Sequence, residues 1–280
     1  MKNITIQIKN ITLLLAIAVL LNACKEDTAL KQQEIPISGE ITRVYIEGPW
    51  EIVITQDSTN NYAVLEFDVP EKKIKTEYSS SGILRIKVYA LDGLEKNVLR
   101  LRIAATALLE IEALDGAKIQ ASGIFRPYSD IYLSGASQLN GLWCEGRAKL
   151  ILSGASEINN LTYIGSNFHA HVTGGSKVNI QNIQMSSQLE CKVKLFEGSE
   201  FSGSGRIGFP SFFGVDGSVF KTFDLESVFL DVDFSGGVFA EVTAHEIKGK
   251  LTWGSKLKYK KATDVSGVFV DESSEIIQVE

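Results

Sequence analysis

The chain is poor in cysteine, proline and histidine, with three, five and three of them in 280 residues. So little cysteine excludes a disulfide-built scaffold. With Cys24 spent on the leader described below, only Cys144 and Cys191 remain, more than two repeats apart. Stacked strands lie about 4.8 Å apart, which puts that pair out of disulfide reach. Cys191 alternates with Leu189, Val193 and Leu195 and reads as a small buried hydrophobe. After Pro127 the only proline is Pro210, so long stretches keep every backbone donor available to a sheet. A basic tract is also missing. The formal charge is −6, and it becomes −8 once Lys2 and Lys9 leave with residues 1–23. An acidic body with scattered lysines excludes nucleic acid and anionic lipid as partners of its charge. The densest basic run, 256–261, alternates like one solvated strand face. No apolar run is long enough for a permanent membrane span.

What is present is a repeat of about 19 residues from Ile111 to Glu280. Its clearest copies are Leu133-Ser134-Gly135-Ala136-Ser137-Gln138-Leu139 and Leu152-Ser153-Gly154-Ala155-Ser156-Glu157-Ile158, followed by a third around Gly174. Alignment on the third position runs through Gly116, Gly135, Gly154, Gly174, Glu197, Asp216, Gly236, Trp253 and Glu272. The steps between them are 19, 19, 20, 23, 19, 20, 17 and 19. A fixed period of this size means one unit stacked on copies of itself, each covering its neighbour's apolar face. The unit is too short for a helix pair, lacks the leucine and asparagine spacing of leucine-rich repeats, and is about half a propeller blade. Leu133, Leu152, Val172, Leu195, Phe234, Leu251 and Val270 stand two places before the anchor. Leu139, Ile158, Val178, Phe201, Phe220, Leu257 and Ile276 stand four places after it. In register these form two inward columns, with a positive-φ corner at the structural turn glycines Gly116, Gly135, Gly154, Gly174 and Gly236. Ser137, Ser156, Ser176, Ser199, Ser218, Ser255 and Ser274 follow as a hydroxyl ladder along that corner. The pattern predicts an all-β protein, a right-handed parallel β-helix (solenoid) of about nine rungs with an N-terminal β-meander cap. Phenylalanine thickens between Phe196 and Phe239, where the coil is expected to widen.

Four segments follow. Residues 1–23 read as a lipoprotein signal peptide, with Lys2 and Lys9 ahead of an apolar stretch from Ile11 to Leu21. Leu21-Asn22-Ala23-Cys24 resembles a bacterial lipobox, which makes Cys24 the lipidation site. Acyl chains contribute roughly 0.8 kcal/mol per buried methylene, enough for stable anchoring when two or more are attached. Lys25-Glu26-Asp27 looks like an outer-face sorting signal, so the expected address is the outer membrane, lipid-anchored and exposed at the cell surface. Residues 24–40 read as a flexible tether, 41–110 as the β cap, and 111–280 as the β-helix. Within the cap, Leu99-Arg100-Leu101-Arg102-Ile103 alternates strictly, one face in and one face out.

Two features together carry a family resemblance. They are Ile46-Glu47-Gly48-Pro49-Trp50-Glu51-Ile52-Val53-Ile54-Thr55-Gln56 and the repeated L-S-G-A-S of Gly135 and Gly154. From Ile41 onward the chain resembles the head GIN domain family of autotransporter adhesins, secreted or lipid-anchored β-solenoid proteins of Gram-negative bacteria. The resemblance implies a surface protein and brings no catalytic residue or ligand with it. The chain departs from the family's pattern after Gly174, where the anchor glycine is often lost.

The repeats carry a few residues of catalytic or metal-binding type. Asp231 and Asp233 face one side of a strand and could chelate a cation or serve glycoside hydrolysis, which needs two carboxylates facing one groove; the alternative is a solvated face. Arg126, Arg147 and Arg206 share no repeat phase with an acidic cluster. His169 and His171 alternate on one strand, with His245 distant, and lack the further ligands zinc requires. Gly203-Ser204-Gly205 precedes no helix, so it is not a phosphate loop. The expectation is therefore a non-enzymatic surface module for adhesion or glycan contact, with no cofactor and no metal. Its partners are the membrane, through acyl chains, and a glycan or a host or envelope surface component. Ladders such as Ser134, Ser153 and Thr173 suit many weak parallel contacts. The rivals are a polysaccharide-active β-helix enzyme and a purely structural envelope protein that forms homo-oligomers through its faces.

Overall fold

A computed structural model describes residues 29–56, 59–89, 97–185 and 189–280. Among them the chain forms a β-solenoid of about eight turns with no α-helix. No helix of the described residues is long and apolar enough to cross a membrane.

The strict alternation of the sequence becomes alternation of side chains into and out of the coil. Strand Tyr128–Leu133 pairs in parallel with residues 147–152 of strand Trp143–Leu152. Those pair with residues 167–172 of strand Glu157–Val172, and these with Glu190–Leu195. This wall, just before the anchor corner, is called the first wall. Beyond the corner the second wall stacks Gln138–Asn140 on the starts of Glu157–Val172, Lys177–Met185 and Glu200–Ile207. A third wall runs from Ile124–Phe125 through residues 143–145 and 162–165 to 182–185.

Both expected columns stand in register. Leu133, Leu152, Val172 and Leu195 are successive partners and fully buried. So are Leu139, Ile158, Val178, Phe201 and Phe220. The later turns fill with rings: Phe220 stacks on Phe212 and on Phe234, each with centroids 5.0 Å apart. Gly214 makes this room, since a Cβ there would lie 2.8 Å from the Phe220 ring. Where strand Val219–Ser235 meets strand Phe239–Leu251, the register jumps from Thr222 to Glu226. The next turn leaves out those intervening residues, which accounts for the 17-residue step.

The N-terminal part is more deeply built into the coil than a meander. Strand Arg43–Glu47 is parallel to both Ile83–Val88 and Glu110–Leu114. Strand Glu51–Gln56 is parallel to both Leu99–Ala105 and Lys118–Ser122. Residues 43–56 are thus a rung, lying between the rung of 83–105 and the rung of 110–122. The antiparallel, capping part is the outer layer: Lys31–Ile35 on Tyr62–Phe67, that strand on Leu99–Ala105, and Ile74–Tyr78 on Ile83–Val88. A strand therefore forms inside the stretch read as tether, and its last residue, Ile35, is buried.

Candidate functional site

Every corner from Asp115 to Gly254 has two successive residues at positive φ: Asp115/Gly116, Gly135/Ala136, Gly154/Ala155, Gly174/Gly175, Glu197/Gly198, Asp216/Gly217, Gly236/Gly237 and Trp253/Gly254. That is the backbone of a type I′ turn. Gly116 is the second member of its pair, and Asp115 takes the place that Gly135 takes one rung on; a Cβ on Gly135 would lie 2.8 Å from the Asp115 nitrogen. Consecutive corners are stitched together, with Ala136 N–H donating to the Gly154 carbonyl at 2.8 Å and Ala155 N–H to that of Gly174 at 2.9 Å. The serines that follow turn inward. Ser137, Ser156, Ser176, Ser199, Ser218 and Ser255 are buried. The hydroxyls of Ser137, Ser156 and Ser255 donate to the carbonyls of Ser134, Ser153 and Thr252 at 2.7, 2.7 and 2.8 Å. This ladder closes the turns from within and offers nothing to a ligand.

What faces outward is different in kind on the first wall. One outward row runs Tyr132, Ile151, His171, Lys194, Phe213, Asp233, Lys250. The row beside it runs Asp130, Lys149, His169, Lys192, Ser211, Asp231, Lys248. His171 packs on Phe196 (5.0 Å between centroids) and Phe196 on Phe213 (5.5 Å). Cations sit over rings, Arg147 over Tyr128 at 5.0 Å and Lys149 over Tyr132 at 5.4 Å. A shallow depression of about 440 Å³ is lined by Lys149, Ile151, His169, His171, Lys192 and Lys194. Two acids stand at its rim among the described residues, Asp130, the ladder partner of Lys149, and Glu190. The Glu190 carboxyl is held below the usual range by Lys192 and then by His169, whose Nε2 is 2.8 Å away. The second wall carries amides and ion pairs in its early turns and cations over rings, Lys258 over Phe239 and Lys260 over Phe223, in its late ones. Asn160 donates to Asn140 at 2.7 Å, Asn140 donates to Gln120 at 2.8 Å, and Lys221 pairs with Glu200 at 2.8 Å.

The other candidate residues are scattered. Asp231 and Asp233 lie on the open first wall, Asp233 3.3 Å from the Lys250 ammonium. Arg126 pairs with Glu145, Arg147 with Asp130 at 3.5 Å, and Arg206 with Glu226 at 3.6 Å. His245 is exposed on strand Phe239–Leu251, away from His169 and His171. Among the described residues no three His, Cys, Asp or Glu side chains gather as a metal-holding group. Gly205 permits close passage of two strands, since a Cβ there would lie 2.1 Å from the Ile183 carbonyl oxygen. Cys144 and Cys191 are free and buried. Burial pushes the Cys144 thiol up to about 12 and raises that of Cys191 as well, so neither is a thiolate nucleophile at neutral pH. Cys24 lies outside the described residues. The cation–aromatic wall is the feature sequence reading missed; its signal was the pair of outward places in Lys149-Leu150-Ile151, His169-Ala170-His171 and Lys192-Val193-Lys194.

A stacked β-coil that presents long walls of side chains belongs to the class of β-solenoid proteins. The chain belongs to the family described as "Putative auto-transporter adhesin, head GIN domain", whose model matches residues 40–262. The segment 46–56 turns a corner of the rung 43–56. There Gly48 turns at φ +115, and the buried Trp50 donates its indole N–H to the Glu47 carbonyl. Three solved structures share the fold. One is called a "Putative lipid binding protein", from Parabacteroides distasonis (15% identity, TM-score 0.67, covering 90% of this chain and 97% of that one). Another is called a "putative adhesin", from Parabacteroides merdae (12%, 0.59, 90% and 96%). The third, also called a "putative adhesin", comes from P. distasonis (14%, 0.53, 90% and 95%). No curated protein matches the chain.

Proposed function

We propose that this protein is a non-enzymatic adhesin, anchored by lipid on Cys24 to the outer membrane, displayed at the cell surface, and contacting glycan or another host or envelope surface component through its walls. The supporting observation is the first wall, where rings and cations repeat from rung to rung on an open sheet instead of converging in a cleft. Repetition of weak contacts along one face gives avidity without any single strong site. Family membership supports the surface role, and the lipobox-like Leu21-Asn22-Ala23-Cys24 supports the anchor.

A glycan and host-matrix binding array, run beside a reducing-sugar release assay, tests the function. Binding without turnover is expected; release of sugar from any polysaccharide overturns the reading in favour of an enzyme, and silence in both assays favours a structural envelope protein. For the address, Cys24→Ala is expected to leave the protein soluble or unprocessed. Protease treatment of intact cells is expected to remove the wild-type protein. Protection in intact cells with cleavage after lysis would place it on the periplasmic face.

A further inference from the structure

The middle rungs of the first wall form a basic strip on an acidic chain, with Asp130 beside Arg147 at its edge. Over the three consecutive rungs 147–152, 167–172 and 190–195 its outward side chains include Arg147, Lys149, His169, His171, Lys192 and Lys194, against Glu190 alone among acids. The chain as a whole carries −6. We propose that this depression binds an acidic polysaccharide, one whose sugars carry carboxylate or sulfate groups, lying along the solenoid axis. The inference deepens the adhesin reading and rests on it.

Three observations carry it. Basic side chains recur with rung spacing: Lys149, His169 and Lys192 are successive partners in the ladder, and beside them His171 partners Lys194. Neighbouring rungs stand about 4.8 Å apart, close to the length of one pyranose, so a polymer with regularly spaced anions can meet a basic side chain or an imidazole N–H donor at each step. Next to the cations, His171, Phe196 and Phe213 form a partly exposed ring stack, and an aromatic face suits the C–H face of a sugar. Finally, the depression is shallow and its floor is Ile151 and the sheet backbone, the form of a track for a chain. Double-stranded nucleic acid fits poorly, because the cations cover three rungs only. An anionic bilayer is the rival surface, and the vesicle arm of the test below separates the two.

The test measures binding of the purified chain, without residues 1–23, to polygalacturonate and to dextran sulfate. Neutral dextran and vesicles containing phosphatidylglycerol serve as the comparison arms. Both acidic polymers, or one of them, are expected to bind with an affinity that falls as salt rises. Lys192→Gln/Lys194→Gln is expected to weaken that binding by about tenfold, while Lys118→Gln/Lys177→Gln, which removes the same charge from the second wall, leaves it unchanged. Phe196→Ala is expected to weaken what binding persists at high salt. Thermal melts confirm that each variant is folded; all five substituted side chains are at least partly exposed. No binding to either acidic polymer, equal losses in the two double variants, or preference for the vesicles would each overturn the proposal. If neutral glycans bind the array and the first-wall variants do not change it, the acidic-polymer inference fails while adhesion stands. Silence on every surface fells the adhesin reading itself.

Discussion

The early and late corners adopt one backbone with different residues. At the three corners of the clearest repeats the first member of the positive-φ pair is glycine and the second is Ala136, Ala155 or Gly175, whereas the corner before them, Asp115/Gly116, has glycine second. In the late turns the first member becomes Glu197, Asp216 or Trp253, with glycine in the second place at Gly198, Gly217 and Gly254, and only Gly236/Gly237 keeps glycine in both. An L-residue in the left-handed region costs roughly 1–2 kcal/mol, so a pair without any glycine would carry that cost twice. Each turn keeps at least one. Space distinguishes the two places. A Cβ on Gly174 would meet the Gly154 nitrogen at 2.9 Å, whereas one on Gly175, Gly198 or Gly254 meets nothing within 4 Å. The late corners gain something from their side chains: Glu197 accepts from the Gly174 N–H at 3.1 Å, and Asp271 from the Trp253 N–H at 2.8 Å. Carboxylates there satisfy outward N–H groups.

The contrast can be broken most forcefully in the core beneath it. Phe220→Ala, in the ring-filled late turns, is expected to cost about 3–5 kcal/mol, and Leu152→Ala, in the aliphatic early turns, about 2–5 kcal/mol. Chemical denaturation of both variants measures this, and a larger loss for Leu152→Ala would reverse the view of where the late coil is held. Next come the corners. Gly174→Ala adds a close backbone approach to the conformational cost and should lose about 2–3 kcal/mol. Gly198→Ala, with open space around it, should lose only about 1 kcal/mol. Equal losses would mean that stacking distance plays no part. Ala155→Gly is expected to stabilise by about 0.5 kcal/mol, relief of the left-handed strain outweighing the added freedom of the unfolded chain.

The smallest effect is local and depends on pH. The Trp253 backbone N–H, and after it the hydroxyls of Ser274 and Ser273, hold the Asp271 carboxyl down to about 2 from its ordinary 3.8. A carboxylate lowered by folding stabilises above its unfolded value and loses that contribution as pH falls through the folded one. Amide exchange at Trp253, scaled for the intrinsic rate, should therefore quicken between about pH 4 and pH 2, with no matching change at Ala155. A flat profile at Trp253 would show that the last corner does not depend on the Asp271 charge.

Period and inward columns were legible in the sequence because burial writes them directly as alternation: Leu133, Leu152 and Val172 could hardly be placed otherwise. The one-residue offset at Gly116 was not legible. Both members of a type I′ turn tolerate glycine, and only the partner rung shows that Asp115 is the first. Nor could alternation reveal that residues 43–56 form a parallel rung, since parallel and antiparallel strands share the same in-and-out pattern. The first wall stayed hidden for a related reason. Lys149, His169 and Lys192 are 20 and 23 residues apart, and register alone makes them neighbours.

The order in which rungs follow along the chain is not their order in space, since residues 83–105 come later in the chain than 43–56 and yet lie outside them. Growth from the N-terminus therefore begins with a closing loop. The first rung must wait for a segment some forty residues downstream before one of its faces is covered, and only then does the chain step across to lay down 110–122. Closing that loop is the entropically expensive event; every later turn templates on a finished edge, adding strands next to strands already in place. A coil nucleated at this end is expected to seed slowly and then wind in a single direction, and truncations from the two ends should not be equivalent. Trimming the far end shortens the spool, whereas trimming the near end removes the bobbin on which it is wound.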